Sequence, residues 1–255
     1  MSYKKHIFDV GAFNGVNGLA LAAKNPDTLV NAFEANKNLI KKIIQLKKKI
    51  EFRLGRKLKN YKIHNLAISN KNKISYFYIA KNPTVSSLHK FTKNIEKTWP
   101  GYKDSHCQTV NKVKVKTITL KKFCNENKIK VINYLHIDTQ GNDLNVLKGL
   151  GSLIKIVKQG VMESSISKKN SLYQNNHILS EVKKFLRKNN FSIIKIKPIE
   201  SSVGNEVDIY YQNTRIDYFN DIKTKYNERY YHRVLDDRLS LKDNIKDSIL
   251  RFFGS

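Results

Sequence analysis

The sequence predicts an α/β protein with a mostly parallel sheet, and three observations predict it. An apolar segment, Ile7-Phe8-Asp9-Val10, runs straight into a turn with glycines at positions 11 and 15. A second apolar segment, Val30-Asn31-Ala32-Phe33, ends in an acid, Glu34, roughly twenty residues further on. From there, strand-like and helix-like runs alternate as far as Tyr211, the pattern of βαβ units whose ligands sit at the C-terminal strand edge.

The first strand and its turn carry the most information. Gly11 lets the backbone turn tightly and approach a ligand, and Gly15 lets the next helix start close by. Glu34, at the tip of the second strand, is placed to accept hydrogen bonds from ribose hydroxyls. A dinucleotide fingerprint would read G-x-G-x-x-G with a pyrophosphate on the helix N-terminus. Here Asp9 precedes Gly11 by two, and a carboxylate there would repel a pyrophosphate. It suits a ligand with a cationic end, such as the amino group of S-adenosylmethionine.

The remaining elements follow in order. Residues 16–25 read as a helix with Leu19, Ala22 and Ala23 on its apolar side. Residues 37–50 read as a basic amphipathic helix: Leu39, Ile43, Leu46 and Ile50 form one stripe, expected to pack on the sheet with the lysines solvated. Tyr61 to Ile68 reads as a third strand and Ile74 to Ile79 as a further one. Residues 81–112 are irregular, with Pro83 and Trp99-Pro100-Gly101. A stretch of that length is either a lid or substrate-facing insertion or a surface loop with no role. Val113–Leu120 is extended, Lys121–Asn127 a short helix, and Ile132 to Asp138 a buried strand ending in an acid. Thr139-Gln140-Gly141-Asn142-Asp143 then leads into a helix through Leu144, Leu147 and Leu150. Residues 156–163 form a strand with Glu163 at its tip, and a helix is expected from about His177 to Lys188. The last strands, Phe191–Ile196 and Val207–Tyr211, have no helix between them, so one of them should be antiparallel. Residues 212–255 fall outside this core. Ile245, Ile249 and Phe252-Phe253 recur at helical spacing, which suits a docked helix, a dimer contact or a membrane-surface helix.

Composition narrows the class. No run approaches the roughly 20 apolar residues of a membrane span, and the chain enters its first strand too early for a signal peptide. Cys107 and Cys124 are too few for a disulfide framework and are read as reduced thiols of a cytoplasmic protein. The chain of 255 residues carries a net charge of +27 from 48 basic and 21 acidic residues. That balance admits nucleic acid, an anionic membrane or an acidic substrate as partner. The excess is nearly all lysine, and it reads as a residue-usage bias spread along the chain, so nucleic acid is not favoured.

At this point several blocks resemble the FkbM-type methyltransferases. They are Phe8-Asp9-Val10-Gly11-Ala12-Phe13-Asn14-Gly15, Phe33-Glu34-Ala35-Asn36, Asn65-Leu66-Ala67-Ile68-Ser69, and Ile137-Asp138-Thr139-Gln140-Gly141 with Val146-Leu147-Lys148-Gly149. The last is the most specific, and the resemblance covers about residues 6–211. It implies a class I methyltransferase (Rossmann-like) fold, S-adenosyl-L-methionine as cofactor, and transfer of a methyl group to a hydroxyl, often on a sugar or natural product. Residue by residue, it places Asp9, Gly11 and Gly15 in the cofactor loop, Glu34 on the ribose, and Asn65 and Ala67 at the adenine. It places Asp138 beside the transferred methyl. Phe13 stands where the family often has Asn, with Asn14 next to it. His136 stands where a lysine is common, and Thr119 where the extended segment usually leads to an aspartate.

His136 and Asp138 are two apart on a strand and project to one face. Asp138 is the candidate to orient the acceptor or take its proton, with His136 nearby and Glu163 a second carboxylate on the same sheet edge. Their structural alternatives are cofactor binding or helix capping for Asp138, a core role for His136 and an ion pair for Glu163. No metal is expected: further carboxylate or amide partners at a known spacing are missing, and the histidines lack zinc-ligand spacing. Three functions remain. One is an O-methyltransferase acting on a glycan or small molecule. The second is an RNA methyltransferase using the basic surface with aromatics such as Tyr76, Phe77, Tyr78, Phe91 and Trp99. The third is a non-catalytic cofactor-fold interaction or membrane-associated module.

Overall fold

The computed structural model describes residues 3–215 except Asn94 and Val203. The helix expected in the C-terminal tail lies outside the described residues. A seven-stranded sheet organises the fold. Its strands are β1 (Lys5–Val10), β2 (Thr28–Phe33), β3 (Tyr61–His64), β7 (Tyr134–Ile137), β8 (Gln159–Ser165), β9 (Phe191–Pro198) and β10 (Glu206–Asn213). They lie in the order β3-β2-β1-β7-β8-β10-β9. Strands β3 through β8 in this order pair in parallel, while β10 pairs antiparallel with both β8 and β9. A second sheet of three strands, in the order β4-β6-β5, comprises β4 (Ala67–Ile68), β5 (Lys73–Ala80) and β6 (Thr109–Ile118).

Alternating side chains on the central strands explain the layers. Ile7, Val30 and Ala32 face α1 (Val16–Lys24) and α2 (Lys37–Leu54), where Leu19, Ile43 and Ile50 are buried against them. Phe8, Val10 and Phe33 face the other way, onto α5 (Leu120–Glu126), α6 (Asp143–Lys148) and α7 (Leu179–Lys188). Burying each such side chain contributes about 1.5–3 kcal/mol, so the two apolar faces account for the three layers. The stripe expected on α2 is thus a packing face, with Leu46 at its margin. Asn36 caps α2 by accepting from the Asn38 amide at 3.1 Å, and Gly55, at φ 63°, ends it.

Two boundaries differ from the sequence expectation. Tyr61–Ile68 is not one strand: after His64 the chain turns, and Ala67–Ile68 joins the second sheet beside Thr117–Ile118. Asn65 makes that turn, its amide bonding the Glu34 and Ala35 carbonyls at 2.9 and 3.2 Å. Residues 81–112 are less irregular than their composition suggests. They hold two short helices, α3 (Ile95–Thr98) and α4 (Tyr102–Ser105), and the start of β6. Ile95, Trp99 and Cys107 form a separate small core with Leu172 and Tyr173. The Trp99 indole donates to the Asn170 carbonyl at 2.8 Å, which pins the insertion to the β8–α7 connection.

Candidate functional site

A cavity of about 270 Å³ opens at the C-terminal ends of β1, β2, β7 and β8. Its first wall is built by the glycine turn. Gly11, at φ 86°, packs so tightly that an added Cβ would overlap the Asp138 carbonyl. The Gly11 and Ala12 amides both donate to the Phe33 carbonyl at 3.0 and 2.9 Å, which brings the turn against the tip of β2. Phe13, at φ 48°, then directs its amide onto Glu34 Oε2 at 2.8 Å. Glu34 Oε1 accepts from the Asn36 amide at 2.7 Å. Burial, with the nearby Asp9 charge, pushes the Glu34 carboxyl up to about 7 although these amides pull the other way.

The floor carries the second carboxyl group. Asp138 and Glu163 face the cavity, and the Gln140 side-chain amide donates to both, at 2.7 Å to Asp138 Oδ1 and 3.3 Å to Glu163 Oε2. Burial raises both carboxyls, Glu163 the more strongly because Asp138, Asp143 and Glu206 lie near it. The rise at Asp138 is opposed by the His136 charge and by hydrogen bonds from Gln140 and Glu163, and the two carboxyl groups titrate as a pair. Glu206 of β10 also lines the cavity, raised to about 7 by burial and by Asp138. No lysine or arginine is among the described residues that line it.

The far wall comes from the insertion, the β8–α7 connection and the β9–β10 connection: Val85, Trp99, Tyr102, Leu172, Ser201 and Ser202. It is tied to the floor through Gln140, whose φ of 55° is rare for a side-chain-bearing residue. The Gln140 Oε1 is 2.8 Å from the Tyr173 hydroxyl, its carbonyl accepts from Ser87 Oγ at 2.6 Å, and Tyr173 also reaches the Val85 carbonyl at 3.0 Å.

Of the residues singled out from sequence, Gly11, Glu34, Ala67, Asp138 and Glu163 come together on this cavity. Asp9, Asn14, Gly15, Asn65 and His136 are not among the residues lining it. Asp9 and His136 are paired neighbours on β1 and β7, with Asp9 Oδ1 2.8 Å from His136 Nδ1. Burial lowers the imidazole's proton affinity, but the Asp9 hydrogen bond and charge outweigh it and hold His136 at about 8. Asn14 accepts from the Val16 amide at 3.1 Å at the start of α1, and Gly15, at φ 80°, leaves room for Ile43 of α2. Sequence reasoning assigned no role to Phe13, Gln140 or Glu206. Gln140 was visible inside the Asp138–Gly141 block, whereas Glu206 carries no local signal.

The strand order, the glycine turn and the acid at the tip of β2 define the class I methyltransferase fold. The domain family described as the methyltransferase FkbM domain matches residues 9–193, and the chain belongs to it. Among curated proteins, none matches. The structure is similar to that of a methyltransferase FkbM from Methylobacillus flagellatus KT at 10% identity and a TM-score of 0.50, covering 83% of this chain and 44% of that one. The chain thus spans less than half the length of that protein. More distant likenesses include a SAM-dependent methyltransferase from Aquifex aeolicus (12% identity, TM-score 0.41, 82% and 84% covered). Another is the M. capricolum TrmK in complex with S-adenosyl-homocysteine (11% identity, TM-score 0.44, 98% and 87% covered).

Proposed function

We propose that the protein is an S-adenosyl-L-methionine-dependent O-methyltransferase acting on a hydroxyl of a glycan or small-molecule acceptor. Residues 1–211 make up the methyltransferase domain, with 81–112 as its substrate-facing insertion. The observation that carries this reading is the cradle formed by Gly11, Phe13 and Glu34. The turn leaves no room for a side chain at Gly11, and Glu34 keeps lone pairs free toward the cavity while its inner contacts are backbone amides. Such a carboxylate suits a ribose diol, and Ala67 with Leu39 and Ile68 offers an apolar slot for a purine.

The bound cofactor would supply an electrophilic methyl group on a sulfonium. The chain's own part is to align an acceptor hydroxyl and take its proton. Asp138 is placed to accept that proton, with the Gln140 amide fixing its carboxyl group and that of Glu163 beside it. His136, held charged by Asp9, supports the ionised state of Asp138 from behind. The carboxylate floor and the lack of lining cations favour a neutral hydroxylated acceptor over a phosphorylated one at the reacting end. The free, buried thiols Cys107 and Cys124 accord with a reducing, cytoplasmic setting.

Calorimetric titration with S-adenosylhomocysteine tests the reading, alongside Glu34→Ala. Saturable binding that the variant weakens about tenfold or more supports the cofactor site and justifies screening hydroxylated glycans. A folded protein that binds none is a non-catalytic module, and the reading fails.

A further inference from the structure

The positive charge of the chain is not evenly placed. Residues 52–95 carry ten lysines and arginines and no acid, and residues 105–125 carry five and no acid. These 65 positions hold fifteen of the net 27 charges of the 255-residue chain. The two segments contribute all three strands of the small sheet, whose strands carry Lys73, Lys112, Lys114 and Lys116 and no acid.

The register of β5 and β6 then sorts the side chains. Tyr78 pairs with Lys112, Tyr76 with Lys114 and Ile74 with Lys116, so one face presents Ile74, Tyr76 and Tyr78 of β5 beside a row of three lysines of β6. The other face carries Phe77, which is buried and lines the cavity. On the outer face the three lysines are exposed, and Tyr76 keeps 45% of its surface open to solvent. Lys112 Nζ sits 3.7 Å from the centre of the Tyr76 ring and 5.9 Å from that of Tyr78. The face continues past Tyr78 and Lys112 into a groove that also holds Lys90, Lys93 and Lys103, with Asp104 its acid.

We propose that this outer face and its groove form a docking surface for single-stranded nucleic acid, separate from the cofactor cavity and independent of the acceptor. Solvent-accessible aromatic rings beside a row of cations are the pattern that stacks bases while neutralising the backbone. Residues two apart on a strand stand about 7 Å apart, so the lysine row and the tyrosine row run side by side along an extended polymer. Arginine is absent from the row, which fits backbone neutralisation without sequence readout.

Fluorescence anisotropy of a labelled oligouridylate of about 12 nucleotides tests this on the full chain. Replacing Lys112, Lys114 and Lys116 together by Glu should weaken binding about tenfold or more. It should also lower the slope of log affinity against log salt by about 2. The same charge change on exposed Lys41, Lys42 and Lys48 of α2 should cost less than about threefold. Tyr76→Ala with Tyr78→Ala should weaken binding about tenfold or more with the salt slope unchanged. Equal losses from the two lysine triples would overturn the proposal, because the attraction would then be diffuse. So would indifference to the tyrosines, or binding to heparin or anionic vesicles with none to the oligonucleotide. Circular dichroism and S-adenosylhomocysteine titration check that each variant is folded, and a triple Lys→Gln variant replaces the Glu one if it is not.

Discussion

The two walls of the cavity are held by different means. The glycine-turn wall is made of main chain: Gly11, Ala12 and Phe13 fasten their amides to Phe33 and Glu34, two strands that are neighbours in the sheet. The insertion wall is made of side chains reaching across the fold. Trp99 bonds Asn170, Tyr102 bonds Ser201, Asn205 bonds Thr98 and Tyr173 bonds Gln140. A main-chain wall constrains which residues can occupy it, above all at Gly11. A side-chain wall constrains which residues meet, and it leaves each segment free in composition. The first kind therefore suits a ligand common to many enzymes, and the second suits one that changes from enzyme to enzyme.

That contrast can be broken at its floor, where the walls meet. Asp138→Asn removes the proton acceptor while keeping the Gln140 contact and the shape. Turnover should fall by about 10²–10⁴, and S-adenosylhomocysteine affinity should stay within about threefold, because Glu34 and Gly11 are untouched. Measuring kcat beside calorimetric affinity separates the two. A loss of affinity as large as the loss of kcat would assign Asp138 to cofactor binding instead.

A smaller effect is expected from the tie between the walls. Tyr173→Phe deletes the hydroxyl that touches Gln140 Oε1 and the Val85 carbonyl, and Tyr173 is buried. The lost hydrogen bonds should cost about 1–2 kcal/mol of stability. If Gln140 positions the carboxyl pair, the pH profile of kcat should also shift, since a looser amide changes how Asp138 and Glu163 share a proton. A variant with lower melting temperature and an unmoved profile would show that the tie only fastens the insertion.

The difference between the walls also explains what the sequence discloses. The cofactor side was legible because its signals are local: a glycine turn, an acid ending the second strand, and hydrophobic periods that fix β1, β2 and α2. The antiparallel β10 was legible from the missing helix after Phe191–Ile196. The break at His64–Leu66 was not, because the apolar run of Tyr61–Ile68 outweighs the single turn residue Asn65, and only the docking of Ala67 beside Thr117 shows the switch of sheet. The glycine-turn motif drew attention to Asp9 and strand period put His136 on the face of Asp138, but neither signal carries the contact that the two residues make with each other. Their cross-strand pairing at Asp9 and His136 turns each toward the other. Glu206 reaches the floor from β10 through the order of the sheet, which no local pattern encodes.

The smallest expected effect compares the acids of the two walls through pH. Glu34 on one side and Glu206 on the other rise to about 7, and Asp143, buried beneath the Thr139 turn, rises to about 8. For a carboxyl group with a raised folded-state pKa, the unfolded chain releases its proton first. Between the unfolded value and the folded one the native state therefore binds more protons, and stability falls as pH rises. His136, held near 8 by Asp9, acts in the same direction, since its stabilisation is complete below its unfolded value and lost as pH climbs through 8. Partly buried His6, His64, His89 and His177 have lowered pKa values and act the other way below about pH 6.5. Above that range the ligand-free protein should therefore melt at progressively lower temperature as pH rises through about 8, and Asp143→Asn should flatten that slope by a few degrees. Bound S-adenosylhomocysteine should flatten it separately, because a ribose diol favours ionised Glu34, and its affinity should weaken as pH drops below about 7. A slope that Asp143→Asn relieves and the ligand does not would place the titrating strain beneath the floor and away from the glycine-turn wall. The reverse would place it on Glu34.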